Sequence, residues 1–528
     1  FASAKHRRLC FSPRSARARA RPCGVRRAAM AVKALASPSM ADAKRDRACS
    51  TESLRSRRSL QSLKDALVPA HALNGLGALA ALDRRGAAKS FAKRTFSPLT
   101  AGGLRQSTIT LVQSSLGGGV LTLAFAMRQA GLGLGQVLLL VLGAVAFLGM
   151  DVMMRGAVEL GADNTAGLLA KCVGGWSGPV MDFLLVIYGN GSAIAYFIFL
   201  GDFLPSVAHD VVQLAGMAPL QVTPQELRAR CILASLVAIV PMSIPRRLSA
   251  LRFASPVALV AILFTAMTVL WKCPELMATN LGMPGFGQIQ WFNLDWSFFQ
   301  AFSVLLFAYN CHLNVVPVTA EFTDPSDARI EKVCLRVALV QVVFYALIAA
   351  GGYLSFLALT DQNILQGYST STAVLLCRAG LSCTILVGIP TNNLPTVQSL
   401  QGLVLSLVPG RRSPPRGAEP LLPVDRSTAA AAAAEPAERP RAAALRLLLT
   451  AACLAVQVRT AIAVPNVADV MGLLGASVGT VLMMALPLAV LLKVQPKSYS
   501  AARFWFTASL LSTGMMVAFS AIVVMLQP

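Results

Sequence analysis

The chain has 528 residues, of which 55% are hydrophobic and 13% are charged, and its net charge is +23. Soluble globular domains carry about 25% charged residues, and the apolar residues here form long blocks. The composition excludes a soluble globular protein and predicts an all-α, multi-pass membrane protein.

The positive charge is concentrated before the first apolar block, which argues against a nucleic-acid partner. Residues 1–105 contain 23 Lys and Arg but only 5 Asp and Glu, so they supply +18 of the net charge. We predict that residues 1–104 form a basic, disordered, cytoplasmic tail close to the membrane surface. A transit peptide within the first 30 residues, which are rich in Arg, Ser and Ala, is the alternative.

The transmembrane domain is predicted to extend over residues 105–526. A bilayer core about 30 Å thick requires about 20 apolar residues per helix, and eleven segments approach or exceed this length. A Pro-, Arg- and Ala-rich stretch, 409–441, follows the eighth segment and is predicted to be a disordered cytoplasmic linker. The predicted spans are 108–127, 132–154, 179–203, 230–245, 253–271, 297–318, 335–359, 371–390, 443–464, 470–492 and 503–526.

Lys and Arg residues are distributed unequally between the two sides of the membrane. After residue 105, the segments on the side of the N-terminus hold 18 of them, whereas the opposite segments hold six. Because cytoplasmic loops are enriched in Lys and Arg, the N-terminus is predicted to be cytoplasmic and the C-terminus to lie on the opposite side. The membrane is predicted to be the plasma membrane or a vacuolar or lysosomal-type membrane.

Sequence motifs for metal binding and catalysis are lacking. The eleven Cys residues include no CxxC pair, which predicts neither a disulfide framework nor a metal site. No HExxH motif and no phosphate-binding loop occurs, so we predict that the protein is not an enzyme. A channel is disfavoured because no repeated filter motif is present.

The first predicted span is interrupted by adjacent glycines. Each glycine in a helix interior costs about 1 kcal/mol relative to alanine, and a broken helix is tolerated in a membrane only where protein or a cavity surrounds it. Transporters use such breaks to present backbone groups to their substrates. A helix-packing face of small residues is the alternative. The predicted substrate-binding residues of this span are Gln113, Ser114, Ser115, Gly117, Gly118 and Gly119.

The sixth predicted span is interrupted by a short polar run. Tyr309, Asn310, Cys311 and His312 separate two apolar stretches. Interrupted helices in the first and sixth of ten spans are typical of carriers built from two inverted five-helix repeats. The imidazole of His312 suits a proton relay because histidine titrates near physiological pH; a neutral packing histidine is the alternative.

Five segments of the chain resemble one transporter family. In chain order they are SSLGGGVLTLAFAMRQAG, YGNGSAIAYFIFLGDFLP, PRRLSALRFAS, FAYNCHLNVVPVTAEF and PNVADVMGLLGASVGTVLMMALP, the first and fourth of which contain the two interruptions. In this order they are similar to segments of the amino acid/auxin permease family, which includes sodium-coupled neutral amino acid transporters and vacuolar amino acid permeases. The resemblance implies eleven helices in a five-plus-five inverted repeat, broken helices 1 and 6, and secondary active transport of amino acids driven by sodium or protons.

The resemblance also implies a site. The glycines of the first break would supply backbone groups to the substrate, and Tyr309, Asn310 and His312 would line its other side. Sodium-coupled members carry Asn where this chain has Gln113 and Thr where it has Gly388. Proton coupling or facilitated exchange is therefore favoured over sodium coupling, although Thr384, one turn earlier, offers a hydroxyl.

The predicted coupling residues and partners follow from this comparison. No cofactor is expected apart from a coupling proton or sodium ion. The partners are an amino acid and the lipid bilayer, and no sequence feature sets the oligomeric state. A non-transporting amino acid receptor on the same fold is the alternative function. The predicted cation-coupling residues are Gln113, Thr384, Gly388 and His312.

Overall fold

The computed structural model describes residues 102–214, 216, 222–244, 254–369, 371–406, 440–496 and 498–525. The predicted tail, 1–104, lies outside the described residues except for its last three, and the predicted linker, 409–441, except for its last two. The described residues are predominantly α-helical, and no β-strand occurs among them.

Fifteen α-helices make up most of the described residues. They are α1 (Leu104–Ser115), α2 (Leu123–Ala130), α3 (Leu132–Leu160), α4 (Thr165–Val173), α5 (Ser177–Leu214), α6 (Pro224–Ser243), α7 (Ala254–Asn280), α8 (Ser297–Tyr309), α9 (His312–Ala320), α10 (Asp327–Phe356), α11 (Thr372–Ser406), α12 (Pro440–Ala463), α13 (Val467–Leu474), α14 (Leu486–Val494) and α15 (Ala501–Met525). A 3₁₀-helix, Gly118–Thr122, leads into α2, and two π-helices, Gly475–Gly479 and Val481–Ala485, join α13 to α14.

Most of the predicted spans are confirmed. Among the described residues, nine helical segments, or ten if the bent pair α1–α2 is one span, are long and apolar enough to cross a membrane. The fourth predicted span coincides with α6, which is not among them because Glu226, Arg228 and Arg230 lie in its first turns. Eleven spans in a five-plus-five inverted repeat therefore remain a prediction.

The predicted interruption of the first span is present. α1 ends at Ser115, where Leu116 and Gly117 leave helical backbone geometry. The Gly117 amide donates to the Ser115 carbonyl over 2.8 Å, which closes a tight turn. The chain bends by 52° before the helix continues through the 3₁₀ segment into α2.

The predicted interruption of the sixth span is also present. α8 ends at Tyr309 and α9 begins at His312, so that Asn310 and Cys311 lie between the two helices. The Cys311 amide donates to the Tyr309 carbonyl over 2.9 Å. The side-chain oxygen of Asn310 accepts from the His312 amide over 3.2 Å, which stabilises the start of α9.

A third irregular segment packs against the second break. The π-helices between α13 and α14 lie so close to α8 that a Cβ atom at Gly475 would collide with the Ser303 carbonyl oxygen. Only glycine allows this approach of two backbones. The same segment brings Gly479 to the second break, where a Cβ atom would lie 3.5 Å from Nδ2 of Asn310. Single π-helical turns occur frequently at functional sites.

Candidate functional site

The two breaks lie next to each other. A Cβ atom at Gly119, in the first break, would lie 3.6 Å from Cα of Ala308, near the end of α8. This is an ordinary van der Waals distance, so the two interrupted segments are in direct contact. The structure therefore brings together the two regions that sequence analysis selected separately.

Tyr345, on α10, joins the two breaks. Its buried hydroxyl lies 3.0 Å from the carbonyl oxygen of Ser115 and 2.8 Å from that of Ala308. These carbonyls belong to the last turns of α1 and α8, where carbonyl groups lack a partner within their own helix. Tyr345 was not predicted from the sequence, because nothing in the surrounding apolar stretch distinguishes it from a packing residue.

The glycines at positions 117 and 118 face α5. A Cβ atom at Gly117 would lie 2.9 Å from the hydroxyl of Tyr196, and one at Gly118 would lie 2.8 Å from Cε2 of Phe199. Close approach by two aromatic side chains therefore explains why these positions require glycine. Helix packing, which sequence analysis treated as an alternative to a break, occurs together with the break.

Tyr196 also contacts the predicted cation-coupling region. A Cβ atom at Gly388, on α11, would lie 3.1 Å from Cε2 of Tyr196. The hydroxyl of Thr384, one turn earlier, donates to the Gly380 carbonyl over 2.9 Å. The ring of Tyr196 thus lies between the first break and α11. Tyr196 lies within one of the five family-like segments, but nothing in that segment distinguishes it as a site residue.

The polar residues before the glycines bond to their own helix. The hydroxyls of Ser114 and Ser115 donate to the carbonyls of Leu111 and Val112, each over 2.8 Å. Gln113 is half-buried on the same helix. The serine protons are therefore used within α1, while the oxygen lone pairs stay free to accept from a ligand.

The predicted residues of the second break contact other helices. The hydroxyl of Tyr309 donates to the Leu139 carbonyl of α3 over 2.9 Å. The imidazole of His312 also faces α3, because a Cβ atom at Gly149 would lie 2.8 Å from its Nε2. Asn310 faces the π-helical segment, as described above. None of these contacts involves a glycine of the first break.

Several buried polar atoms near the second break have no hydrogen-bond partner. They are Oε1 of Gln341, Nδ2 of Asn310 and both ring nitrogens of His312. The carbonyl of Ala146 lies near the imidazole of His312, but the two do not form a hydrogen bond of normal geometry. Nε2 of Gln341 lies 3.8 Å from Sγ of Cys311, which places Gln341 at the break. Buried polar groups are normally paired, so these atoms indicate a place for a polar ligand or water.

A narrow apolar cavity adjoins the first break and reaches the loop between α10 and α11. Ile364 of this loop lines the cavity. Arg128 holds the loop by donating to the Thr360 carbonyl over 2.7 Å, and Asn363 donates to the Asp202 carboxylate over 3.1 Å. The other lining residues are Gly117, Val120, Leu121, Ile262, Thr265, Val269, Ile348 and Leu381.

A separate group of charged side chains joins α3, α10 and α15. Arg155 binds both carboxylate oxygens of the fully buried Asp151, over 2.9 and 3.1 Å. Tyr499 and Arg503 donate to one of these oxygens over 2.7 and 3.2 Å. We call this group the ionic cluster, and its members are Asp151, Arg155, Asp327, Glu331, Tyr499 and Arg503.

The outer members of the ionic cluster connect the helices. Arg155 pairs with Asp327 at the start of α10 over 2.7 Å, and Arg503 pairs with Glu331 over 3.3 Å. Burial, together with Asp151, raises the pKa of Tyr499, so its phenol stays protonated and donates to that carboxylate. Because removal of one partner from a buried ion pair is strongly destabilising, we expect the ionic cluster to stabilise the packing of α3 against α10 and α15. None of its members belongs to either break.

The described residues thus form a multi-pass helical membrane protein with a buried polar site at two interrupted helices. No group of three or more His, Cys, Asp or Glu side chains among them is arranged to hold a metal ion. The chain belongs to the family described as "Transmembrane amino acid transporter protein", which matches residues 100–527. This is the amino acid/auxin permease family, so the resemblance inferred from the motifs is confirmed.

Curated relatives are named transporters rather than enzymes. The "Putative amino acid transporter AAT1" of Toxoplasma gondii is 36% identical over 328 residues, which cover 62% of this chain and 44% of the relative. "Vacuolar amino acid transporter 5" of Schizosaccharomyces pombe is 26% identical over 305 residues, 55% of this chain and 69% of the relative. "Putative sodium-coupled neutral amino acid transporter 11" of Danio rerio is 23% identical over 269 residues, which cover 50% of this chain and 57% of the relative. The chain spans about half the length of the AAT1 relatives from Toxoplasma and Plasmodium.

Proposed function

We propose that this protein is a secondary active transporter that moves amino acids across a membrane by alternating access. The observation that carries this proposal is the convergence of two half-helix ends, from α1 and α8, on the hydroxyl of Tyr345. In transporters with discontinuous helices, carbonyls at such ends coordinate a cation or an ammonium group. Family membership and the names of the relatives support amino acids as the substrate class.

The charged ends of an amino acid match the helix ends at the breaks. The carboxylate suits the N-terminal end of the helix that begins at Gly118, because amide groups and the positive end of the helix dipole lie there. The ammonium group suits the carbonyls of Ser115 and Ala308. The proposed substrate-binding residues are those selected from sequence, namely Gln113, Ser114, Ser115, Gly117, Gly118, Gly119, Tyr309, Asn310 and His312.

We propose that transport is coupled to protons rather than to sodium. Hard cations in proteins are held by several oxygen ligands, but Gly388 supplies no side-chain oxygen and ring carbons of Tyr196 lie against it. Thr384 and Gln113 are the remaining side-chain oxygens at the predicted coupling positions. His312 is the proposed proton carrier, because it is buried at the second break and its ring nitrogens have no partner.

The membrane and the orientation are also proposals. The relatives named vacuolar transporters support a vacuolar-type membrane, and the plasma membrane is the alternative. The excess of Lys and Arg on the side of the N-terminus supports a cytoplasmic N-terminus and a C-terminus on the opposite side.

Uptake by purified protein in sealed proteoliposomes tests this function. With labelled amino acids, sodium-free buffer and an imposed proton gradient, we expect uptake that a protonophore abolishes. Empty liposomes are the control. Uptake only after sodium is added would contradict proton coupling, whereas amino acid binding without uptake in either buffer would indicate the receptor alternative.

Replacing His312 by glutamine tests the proposed proton carrier. Wild-type uptake should rise as the external pH falls from 8 to 5, because protons enter with the substrate, and the His312→Gln profile should be flat. The control is His209→Gln, since His209 is an exposed histidine on α5 and belongs to neither break. A wild-type pH profile in His312→Gln would assign His312 to packing alone.

A further inference from the structure

Tyr345 presents one proton to two acceptors. A phenol hydroxyl has a single O–H donor, yet the hydroxyl of Tyr345 lies 3.0 and 2.8 Å from the carbonyl oxygens of Ser115 and Ala308. All three groups are buried. One proton cannot form two full hydrogen bonds at once. The Ser115 carbonyl also accepts from the Gly117 amide over 2.8 Å, so the Ala308 carbonyl is the one that depends on this hydroxyl.

A third acceptor lies on the same face of α10. Gln341 is one helical turn before Tyr345, and residues four apart share a helix face. Oε1 of Gln341 is buried without a hydrogen-bond partner, and its Nε2 lies 3.8 Å from Sγ of Cys311, between α8 and α9. This part of the site therefore holds three acceptors, the carbonyls of Ser115 and Ala308 and Oε1 of Gln341. The donors that reach them are the shared hydroxyl of Tyr345 and, at the Ser115 carbonyl alone, the Gly117 amide.

We propose that Tyr345 is a positioning residue whose hydroxyl holds the two half-helix ends together and yields their carbonyls to the ammonium group of the substrate. This inference rests on the proposed transport of amino acids. An ammonium group brings three N–H donors, which match the carbonyls of Ser115 and Ala308 and Oε1 of Gln341. When the substrate binds, the single shared hydrogen bond from Tyr345 is replaced by three hydrogen bonds from the ammonium group.

The proposal predicts opposite effects of Tyr345 on binding and on turnover. While the hydroxyl competes with the substrate for the carbonyls, it weakens substrate binding. After the substrate leaves, the same hydroxyl again donates to the carbonyls and restores the link between the two breaks. Removal of the hydroxyl should therefore strengthen binding and slow the transport cycle.

Tyr345→Phe removes only the hydroxyl and tests this prediction. Each of the twenty labelled L-amino acids is assayed alone, and the one transported best by the wild type is studied further. We expect KM and Kd to fall about threefold to tenfold, the range of one hydrogen bond, and the maximal uptake rate to fall roughly tenfold. Inhibition of uptake by the N-acetyl derivative, which lacks the ammonium group, should stay unchanged.

Tyr353→Phe is the matched control. Tyr353 is buried two turns further along α10, and its hydroxyl accepts from the Gln290 amide over 3.1 Å rather than from the breaks. We expect wild-type KM and rate in this variant. Unchanged kinetics in Tyr345→Phe, or a lower rate with unchanged KM, would overturn the proposal while leaving the transport function intact. A wild type that transports none of the twenty amino acids would overturn both.

A labelled tyrosine provides a test that does not depend on the Phe variant folding. With 3-fluorotyrosine at position 345, the ¹⁹F resonance should shift when the transported amino acid is added and should not shift with its N-acetyl derivative. The same label at position 353 should respond to neither compound. An unchanged resonance at position 345 at saturating amino acid would overturn the proposal.

Discussion

Gly118→Ala is expected to reduce amino acid uptake by roughly tenfold or more, because a displacement of about 1 Å near a reacting or binding centre can lower the rate by up to a hundredfold. The new Cβ atom would lie 2.8 Å from Cε2 of Phe199 and 3.4 Å from Cε1 of Tyr196. Phe199 is buried and stacks on Phe203 at a centroid distance of 5.9 Å, so its ring has little room to move. The first break must shift instead, away from its position beside Ala308.

Gly178→Ala is the control for this substitution. It adds the same methyl group to a glycine of α5 that packs on α4, where the Cβ atom would meet Cβ of Ala170 at an ordinary 3.6 Å. We expect Gly178→Ala to retain most of the uptake. The measurement is initial uptake rate, normalised to folded protein from size-exclusion chromatography of a fluorescent fusion. Equal rates in the two variants would show that the packing of Gly118 on α5 does not position the site.

The breaks were predictable because each contrasts with its own local sequence. Three adjacent glycines, Gly117 to Gly119, and the short run from Tyr309 to His312 stand inside apolar stretches, where regular helices would not place them. The structure puts the ends of the helices at these residues. The helices of nine or ten predicted spans were predictable from length and hydropathy, since these apolar blocks coincide with helices among the described residues.

The partners of the breaks were not predictable, because they are set by contacts between distant parts of the chain. Tyr345 and Ser115 are separated by 230 positions, and neighbours of similar hydropathy surround Tyr345. Tyr196 likewise acquires its role from the side of α5 that faces Gly117 and Gly388. No period or motif along the chain encodes which helices become neighbours, so these two tyrosines required the three-dimensional arrangement.

The three tyrosines at the site differ in what they connect. Tyr345 links the two breaks to each other, Tyr309 links the second break to α3, and Tyr196 separates the first break from α11. Alternating access requires that the broken helices move relative to their neighbours. Contacts made by single side chains, rather than by continuous apolar faces, can be exchanged during such a movement at limited cost.

Among these substitutions, Asp151→Asn is expected to cause the largest loss of stability. Asp151 is fully buried on α3 and accepts from Arg155, Tyr499 and Arg503. The substitution removes the negative charge and leaves Arg155, which is 5% exposed, with a weaker partner. Removal of one member of a buried ion pair costs about 3–5 kcal/mol. We therefore expect the melting temperature of the detergent-solubilised protein to fall by at least about 5 °C.

Asp324→Asn is the matched control, because it makes the same change in an exposed ion pair. Asp324 is 83% exposed and lies 3.2 Å from Arg329, and exposed pairs contribute about 0–1 kcal/mol. Its melting temperature should equal that of the wild type. Since the ionic cluster joins α3 to the start of α10 and to α15, we expect Asp151→Asn to lose uptake along with stability. If Asp151→Asn has the same melting temperature as Asp324→Asn, then apolar packing, and not the ionic cluster, holds these helices together.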